Sequence, residues 1–216
     1  MRVTILDYGA GNVPSVERAL QRLGADSHRT DSPECISSAE ALLLPGVGHY
    51  AALVRALDGK NLRAPLVDAI HRGVPFLGIC LGLQVLFKSS EEAGQLQGLN
   101  LLPGIVSALP STVKLPHMGW NQLEKKRESS LLAGIDSGAY FYFAHSYAAI
   151  NEERVVAFRG HGCDCMGGGM SELVRRSDNV RVKGQTRIQP TGRTFKKRFG
   201  RRKLRRDGRG TSGPSA

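Results

Sequence analysis

A cysteine flanked by glycines is the first feature of this sequence that could do chemistry. Residues 78–82 read Gly-Ile-Cys-Leu-Gly. The preceding apolar run, residues 74–79, predicts a buried strand, and the sequence after it favours a helix from Leu81 to about Phe87. Glycines on both sides of a strand-to-helix junction are typical of a nucleophile elbow, whose sharp turn leaves no room for neighbouring Cβ atoms. We therefore predict that Cys80 is a nucleophile rather than a buried structural cysteine, and we expect the helix N-terminus to favour its thiolate.

A second glycine-rich loop follows another apolar strand. Residues 41–44 read Ala-Leu-Leu-Leu, and residues 45–48 read Pro-Gly-Val-Gly. Because the carboxyl ends of parallel strands open on one crevice, we expect this loop to face Cys80. A glycine-flanked peptide in the loop and the Leu81 N–H would then supply two donors for an oxyanion. Residues 9–12, Gly-Ala-Gly-Asn, lack the third glycine and the Lys-Ser/Thr of a phosphate loop, so no nucleotide site is predicted.

The elements that must position these loops alternate along the chain. Apolar strands without polar alternation, separated by helices, predict an α/β fold: a single domain with a mostly parallel sheet and helices on both faces. In the first helix, Asn12 is the expected N-cap and Pro14 lies in the first turn. Strands are expected near residues 3–6, 41–44, 74–79, 105–109, 140–143 and 155–158, and helices near residues 13–23, 50–57, 64–72 and 81–87.

The net charge of +11 is confined to the last quarter of the chain. Residues 1–158 hold 14 Lys/Arg and 15 Asp/Glu, whereas residues 159–216 hold 16 Lys/Arg and 4 Asp/Glu. We therefore divide the chain into a domain of residues 1–158 and a basic tail that is expected to be disordered and to lack the last strands and helix of the fold. The rival interpretation of the tail is a nucleic-acid-binding arm. Phe195 and Phe199 are, however, the only aromatic residues among the basic residues of the tail. We therefore expect a non-specific affinity for polyanions and no specific nucleic-acid partner.

The cysteines and the apolar runs exclude other classes of protein. Cys35, Cys80, Cys163 and Cys165 form no disulfide framework. Cys163 and Cys165, with His161 nearby, have neither the usual zinc spacing nor a second ligand pair, so no metal is predicted. No run approaches the roughly 18 apolar residues of a membrane span, and the first apolar run is too short for a signal peptide. We therefore expect a cytoplasmic protein that contacts no membrane.

Five segments carry a family resemblance. They are residues 7–12 (Asp-Tyr-Gly-Ala-Gly-Asn), 44–48 (Leu-Pro-Gly-Val-Gly), 78–84 (Gly-Ile-Cys-Leu-Gly-Leu-Gln), 116–121 (Pro-His-Met-Gly-Trp-Asn) and 142–147 (Tyr-Phe-Ala-His-Ser-Tyr). Over about residues 1–158 the chain resembles class I glutamine amidotransferases, and more narrowly the glutaminase subunits of imidazole glycerol phosphate synthases. The elbow is common to the superfamily, whereas the other loops are typical of the histidine-biosynthetic members.

The resemblance implies a reaction and a partner. Cys80 would attack the side-chain amide of glutamine, form a glutamyl thioester and release ammonia, with the Val47 and Leu81 amides holding the oxyanion and no cofactor needed. A (β/α)8-barrel cyclase subunit, bound as a heterodimer, would use the ammonia to make imidazole glycerol phosphate and the aminoimidazole ribotide by-product. The positions implied to hold glutamine are Gly46, Gly48, Gln84, Glu92, His145, Ser146 and Tyr147, and those implied to dock on the cyclase are Asn12, His117, Met118 and Trp120.

Two alternatives remain open. One is a catalytically inactive subunit that only docks on the cyclase, and the other is a class I glutamine amidotransferase of a vitamin or nucleotide pathway, against which residues 116–121 argue. Taken without the resemblance, Gln84, His117 and Trp120 would be read as a solvated helix residue, a surface loop residue and a packing residue.

The late part of the sequence departs from the family. A cysteine nucleophile needs a general base and a carboxylate that orients it. The family takes both from a Phe-His-Pro-Glu segment. In this chain the last histidine is His161, and residues 184–191 read Gly-Gln-Thr-Arg-Ile-Gln-Pro-Thr. His145 is a candidate substitute base. A shifted reading frame is our hypothesis for the tail. Codons for residues 191–200 exist that, read one base later, give Pro-Glu-Glu-Arg-Ser-Arg-Ser-Gly-Leu, which resembles the Pro-Glu-x-Ser…Gly-Leu ending of the family. Resequencing the gene tests it, and an unchanged frame would remove it.

Overall fold

A ten-stranded sheet organises the molecule. The computed structural model describes residues 2–111, 114–126, 128–149, 155–159, 170–174, 181–185 and 187–188. The strands are β1 (Val3–Leu6), β2 (Ser27–Thr30), β3 (Leu42–Gly46), β4 (Phe76–Cys80), β5 (Phe87–Ser90), β6 (Leu102–Ala108), β7 (His117–Lys125), β8 (Tyr140–His145), β9 (Tyr147–Ala149), β10 (Val155–Arg159), β11 (Met170–Val174), β12 (Arg181–Gln185) and β13 (Arg187–Ile188). The α-helices are α1 (Val13–Arg22), α2 (Pro33–Ser37), α3 (Tyr50–Gly59), α4 (Arg63–His71) and α5 (Leu81–Gln84).

The large sheet has a parallel half and an antiparallel half. Its order is β13-β8-β7-β10-β11-β12-β4-β3-β1-β2. The strands from β2 to β12 at one end pair in parallel, and those from β12 to β13 at the other end pair antiparallel. A smaller sheet, in the order β5-β6-β9, lies beside it. The predicted α/β fold is confirmed, and the parallel half contains the predicted elbow.

Both faces of the parallel half are covered because its central strands are apolar on both sides. Every residue of β3 is buried. Leu42 and Leu44 belong to a core cluster with the apolar residues of α3 and α4. Leu43 belongs to the cluster on the opposite face, with Val13 of α1 and Ile5 of β1. Alternate residues of one strand therefore pack against helices on different faces, as a sheet covered on both sides requires.

Two local predictions differ from the structure. Helix α5 is one turn long and does not reach Phe87, because Phe87 begins β5 and pairs there with Leu102 of β6. The Asn12 side chain makes no capping hydrogen bond; instead its backbone carbonyl accepts the N–H groups of Ser15 and Val16. Pro14 does lie in the first turn of α1, where its missing N–H is not needed.

The tail contributes strands that its sequence did not visibly predict. Strands β11, β12 and β13 lie between residues 170 and 188, and β12 pairs in parallel with β4, with Gln185 opposite Ile79. The possible metal ligands His161, Cys163 and Cys165, and the basic run beyond residue 188, lie outside the described residues.

Candidate functional site

Cys80 lies at a strained turn between β4 and α5. Its φ of 55° and ψ of −115° are unusual for a residue with a side chain. A Cβ atom on Gly82 would lie 2.0 Å from the Leu44 carbonyl oxygen, and one on Gly78 would lie 2.4 Å from the Gly82 carbonyl oxygen. The two glycines are therefore required by backbone packing, as the sequence predicts for a nucleophile elbow.

The loop after β3 packs directly on this elbow. Gly46 lies opposite Cys80 in the parallel register of β3 and β4. A Cβ atom on Gly46 would lie 2.4 Å from the Gly82 amide nitrogen and 2.6 Å from Leu81 Cβ. The loop at residues 45–48 and the thiol therefore meet at the carboxyl end of adjacent strands.

The two amides expected to hold an oxyanion have different partners. The Leu81 N–H donates toward the Cys80 sulfur, where it favours the thiolate. The Val47 N–H donates to the hydroxyl oxygen of Tyr8 at 3.2 Å. Only the Leu81 amide therefore faces the thiol. Tyr8 was not singled out from the sequence, although it lies in the glycine-rich segment of residues 7–12 that carries the resemblance.

The thiol is harder to ionise than the sequence suggested. Although Cys80 is exposed, desolvation by the protein around its sulfur raises the pKa of the thiol; the hydrogen bond from the Leu81 N–H opposes that rise, and the negative charge of Glu92 adds to it. The Leu81 N–H at the start of α5 favours the thiolate, as predicted for the helix N-terminus, but desolvation and the charge of Glu92 outweigh it. A raised pKa keeps the sulfur protonated at neutral pH, so the nucleophile needs a proton acceptor.

Glu92 is a carboxylate held near the thiol. Its Oε2 accepts the Tyr50 N–H at 3.0 Å, at the start of α3, and its Oε1 lies 4.0 Å from His49 Nε2. Its side chain is only 15% exposed. A nearly buried carboxylate with one oxygen fixed by a backbone amide is well suited to bind a cationic group of a ligand.

Four more of the predicted substrate-binding positions lie together. Gln84, one turn beyond Cys80, donates from Nε2 to the Tyr147 carbonyl oxygen at 3.2 Å. His145 Nδ1 lies 3.1 Å from the same oxygen, and the neighbouring Ser146 carbonyl accepts the Leu109 N–H. Gln84 is buried, and its Oε1 has no hydrogen-bond partner in the part of the chain that the structure describes. That oxygen is a buried acceptor whose hydrogen bond is not made among the described residues.

An exposed apolar face lies on the hairpin of β7 and β8. Met118 is 63% exposed and Trp120 43%, while Tyr140 on the facing strand is 56% exposed. The Trp120 ring meets that of Tyr142 edge-on, with centroids 5.6 Å apart. We call these four residues the hairpin face. The reverse side packs inward around Leu123, Leu132, Phe141 and Phe143.

The predicted docking residues do not all share this face. His117 lies one residue before Met118 in β7 and therefore points to the opposite side of the strand. There its ring contacts those of Phe143 and His145, with centroids 5.9 Å and 5.5 Å away. Asn12 is exposed at the start of α1 and does not belong to the hairpin.

A catalytic base is missing from the described part of the site. No hydrogen bond joins the Cys80 side chain to a histidine or a carboxylate among the residues that the structure describes. The His145 ring instead lies against the Tyr147 carbonyl and the His117 ring. Strand β12 ends with Gln185 opposite Ile79, one residue before the thiol, and residues 186–188 read Thr-Arg-Ile. The strand that approaches the thiol is therefore followed by no histidine.

The described residues contain no cluster of His, Cys, Asp or Glu that could hold a metal ion. Within the same residues, no helix has the length and apolar character needed to cross a membrane.

Comparisons with known sequences converge on one family. The family model for glutamine amidotransferase class-I matches residues 4–172. Relatives called imidazole glycerol phosphate synthase subunit HisH from Moorella thermoacetica and Desulfitobacterium hafniense are 51% and 47% identical, over 155 and 154 residues. These segments cover 71% of this chain in both cases, and 74% and 73% of the relatives. A HisH subunit from Methanothermobacter thermautotrophicus is 46% identical over 157 residues, 73% of this chain and 78% of that protein.

Comparisons with solved structures agree on the fold. A glutamine amidotransferase superposes with a TM-score of 0.63 at 19% identity, covering 86% of this chain and 89% of that one. PurLQS from Thermotoga maritima superposes with a TM-score of 0.61 at 21% identity, covering 86% and 85%. At these identities the likeness concerns the fold alone.

Proposed function

The chain belongs to the class I glutamine amidotransferase family, and we propose that it is the glutaminase subunit of an imidazole glycerol phosphate synthase, acting in histidine biosynthesis. The observation that carries the proposal is the elbow itself, with Cys80 at a strained turn and Gly46 packed against it. The HisH relatives supply the choice of pathway.

The proposed reaction is hydrolysis of glutamine in two steps. The Cys80 thiolate attacks the side-chain amide carbon, and the carbonyl oxygen becomes an oxyanion that the Leu81 N–H stabilises. The proton that the thiol loses on ionisation is delivered to the leaving nitrogen, the carbon–nitrogen bond breaks, ammonia leaves, and a glutamyl thioester remains on the sulfur. Water attacks the thioester, glutamate leaves and the thiol is restored. No cofactor takes part in either step.

The substrate is proposed to lie between Glu92 and Gln84. Glu92 would bind the α-ammonium group of glutamine, and the unpartnered Oε1 of buried Gln84 would accept a substrate N–H. The backbone at Gly46 and Gly48, with His145, Ser146 and Tyr147, would complete the enclosure. Val47 would add a second oxyanion donor after the thiolate has attacked, when its N–H turns from the Tyr8 hydroxyl to the substrate oxygen.

The proposed partner is a barrel cyclase that receives the ammonia in a heterodimer. An exposed apolar face with one Trp, one Met and two Tyr residues has the composition of a protein-binding surface, which supports the hairpin face as the docking site. Asn12 and His117 are proposed as further contacts. The proposed location is the cytoplasm, where free glutamine and such a partner would be available together.

The domain boundary proposed at residue 158 rests on the change in charge and composition. The similar segments of 154 to 157 residues in the relatives support it. Strands β11 and β12 nevertheless extend the sheet past this point.

The decisive experiment measures ammonia release from glutamine with the cyclase and its nucleotide substrate present. We expect a low rate of ammonia release, because no histidine follows β12, and we expect Cys80→Ala to abolish it. If the chain binds the cyclase but releases no ammonia, the inactive docking subunit is correct. If it does not bind the cyclase, a glutamine amidotransferase of another pathway becomes the better assignment.

A gain-of-function variant tests whether low ammonia release is caused by the missing base or by another defect of the active site. Replacing residues 186–189, Thr-Arg-Ile-Gln, by Phe-His-Pro-Glu puts a histidine and a glutamate directly after β12 in the sequence, and β12 pairs with β4, the strand that ends at Cys80. We expect ammonia release to rise at least about a hundredfold, the usual contribution of a general base. The matched control, Phe-Ala-Pro-Ala at the same positions, should not raise it.

A further inference from the structure

Tyr8 is a buried residue of the site that the proposed reaction does not use. It follows β1 directly and is only 5% exposed, packed in the main core cluster. Its hydroxyl oxygen accepts the Val47 N–H. A buried phenol whose oxygen is fixed by a backbone amide has a defined position, which a mobile surface tyrosine does not have.

The segment around Tyr8 is anchored on both sides. The Asp7 N–H donates to the Thr30 carbonyl, and the Gly9 N–H donates to Asp7 Oδ1 at 3.0 Å. A Cβ atom on Gly11 would lie 3.4 Å from Pro45 Cγ, so the segment packs against the loop that contains Val47.

The Tyr8 hydroxyl is close to the thiol. Its partner Val47 follows Gly46, and Gly46 lies opposite Cys80 in the sheet and in contact with Leu81. Burial raises the pKa of Tyr8, the Val47 hydrogen bond lowers it, and the negative charges of Cys80 and Asp7 raise it further. The phenol therefore keeps its proton at neutral pH, within electrostatic range of the sulfur.

The proton of this hydroxyl is available to a second acceptor. A phenol can accept one hydrogen bond and donate another, and accepting the Val47 N–H strengthens it as a donor. In the described part of the chain, the contact with Val47 is the only hydrogen bond of the Tyr8 hydroxyl. Ionisation of Cys80 would create a strong acceptor whose charge the Tyr8 hydroxyl already senses.

We propose that the Tyr8 hydroxyl donates a hydrogen bond to the Cys80 thiolate, so that Val47, Tyr8 and Cys80 form one chain of donors ending at the nucleophile. This inference rests on the proposed function because it concerns the same thiol. It would give the thiolate a second hydrogen-bond donor. Desolvation and the charge of Glu92 both disfavour the thiolate, and the Leu81 N–H is the donor that already opposes them.

The test is the pH dependence of Cys80 alkylation by iodoacetamide in the full-length chain, read on the Cys80 peptide by mass spectrometry. In Tyr8→Phe we expect the apparent pKa of the thiol to rise by about half to one unit and alkylation at pH 7.5 to slow about three- to tenfold. Tyr50→Phe is the matched control, because it also removes a buried tyrosine hydroxyl, one that has no hydrogen-bond partner among the described residues. It should leave the profile unchanged.

An unchanged or faster reaction of Tyr8→Phe would overturn the proposal. A second variant protects against a folding defect: 3-fluorotyrosine at position 8 preserves the shape and makes the phenol a stronger donor. We expect it to lower the apparent pKa of Cys80, and an increase contradicts the idea. Neither measurement needs glutamine or the cyclase, so both stand even if the glutaminase assay fails.

Discussion

The elbow is the part of the molecule where single residues decide the structure. Its glycines were predicted from their flanking positions, and the reason is visible in the backbone contacts of Gly78 and Gly82. The ionisation of Cys80 was not predictable in the same way. The sequence predicts a helix after the thiol, but it predicts neither the helix's length of one turn nor the desolvation that raises the pKa of Cys80.

Gly82 offers a direct test of this packing. A methyl group at Gly82 would meet the Leu44 carbonyl, which belongs to the central strand and cannot move away. We expect Gly82→Ala to lower the free energy of unfolding by about 3 kcal/mol or more, as overpacking against the backbone does. Urea unfolding measures it.

Gly59→Ala is the matched control. Gly59 ends α3, and a Cβ atom there would have nothing within 4 Å. We expect it to be neutral or stabilising by up to about 1 kcal/mol, since alanine favours a helix over glycine. Equal losses in the two variants would refute the close-packing argument.

At the level of elements, apolar strands were predictable and polar ones were not. The strands β1, β3 and β4 were expected from runs of buried apolar residues. Strand β2 reads Ser-His-Arg-Thr and lies at the edge of the sheet, where one neighbour suffices and no apolar run is needed. The hairpin of β7 and β8 was found through its motifs rather than its pattern, and the structure adds Tyr140 and Tyr142 to its exposed face.

The hairpin face predicts a strong effect on partner binding. Trp120 is the largest residue of the face and stacks edge-on against Tyr142. We expect Trp120→Ala to weaken cyclase binding about thirtyfold or more, which is the loss of about 2 kcal/mol typical of a tryptophan hot spot. Isothermal titration calorimetry with the cyclase gives the dissociation constant.

Leu23→Ala serves as its control. Leu23 is also a partly exposed apolar side chain, but it follows α1 and lies outside the hairpin face. Its substitution should leave the dissociation constant within about twofold, as expected outside an interface. If both variants bind like the unchanged chain, the docking surface lies elsewhere.

For the whole molecule, most of the parallel half of the sheet was predictable, whereas in the antiparallel half only β8 and β10 were predicted. Parallel strands buried on both faces have a strong apolar signal, whereas β7 and β8 have one exposed face and mix polar with apolar residues. The strands after residue 170 lie in a segment whose charge and glycine content obscure any pattern. Most of the proposed site depends on the predictable half.

The separation of charge along the chain predicts a salt-sensitive side activity. The +11 net charge should give the full-length chain a non-specific affinity for single-stranded DNA. We expect this affinity to fall about a hundredfold or more between 50 mM and 500 mM salt, through the release of counterions. Fluorescence anisotropy with oligonucleotides of unrelated sequence should give similar curves.

The control replaces the eight Lys and Arg residues within residues 195–206 by Gln, which lowers the formal net charge from +11 to +3. We expect most of the affinity to disappear. A marked preference for one oligonucleotide, or affinity that resists salt, would contradict the non-specific interpretation.

The pairing of β12 with β4 has a consequence for how defects in such a protein are detected. Strand pairing uses main-chain N–H and C=O groups, which are the same for almost every side chain. A chain can therefore complete its sheet at the edge of the active site while the residues that should follow carry the wrong chemistry. A sequence change can then abolish catalysis without affecting folding. Circular dichroism, solubility and thermal unfolding would be those of a folded protein, and only a glutamine hydrolysis assay would reveal the missing histidine.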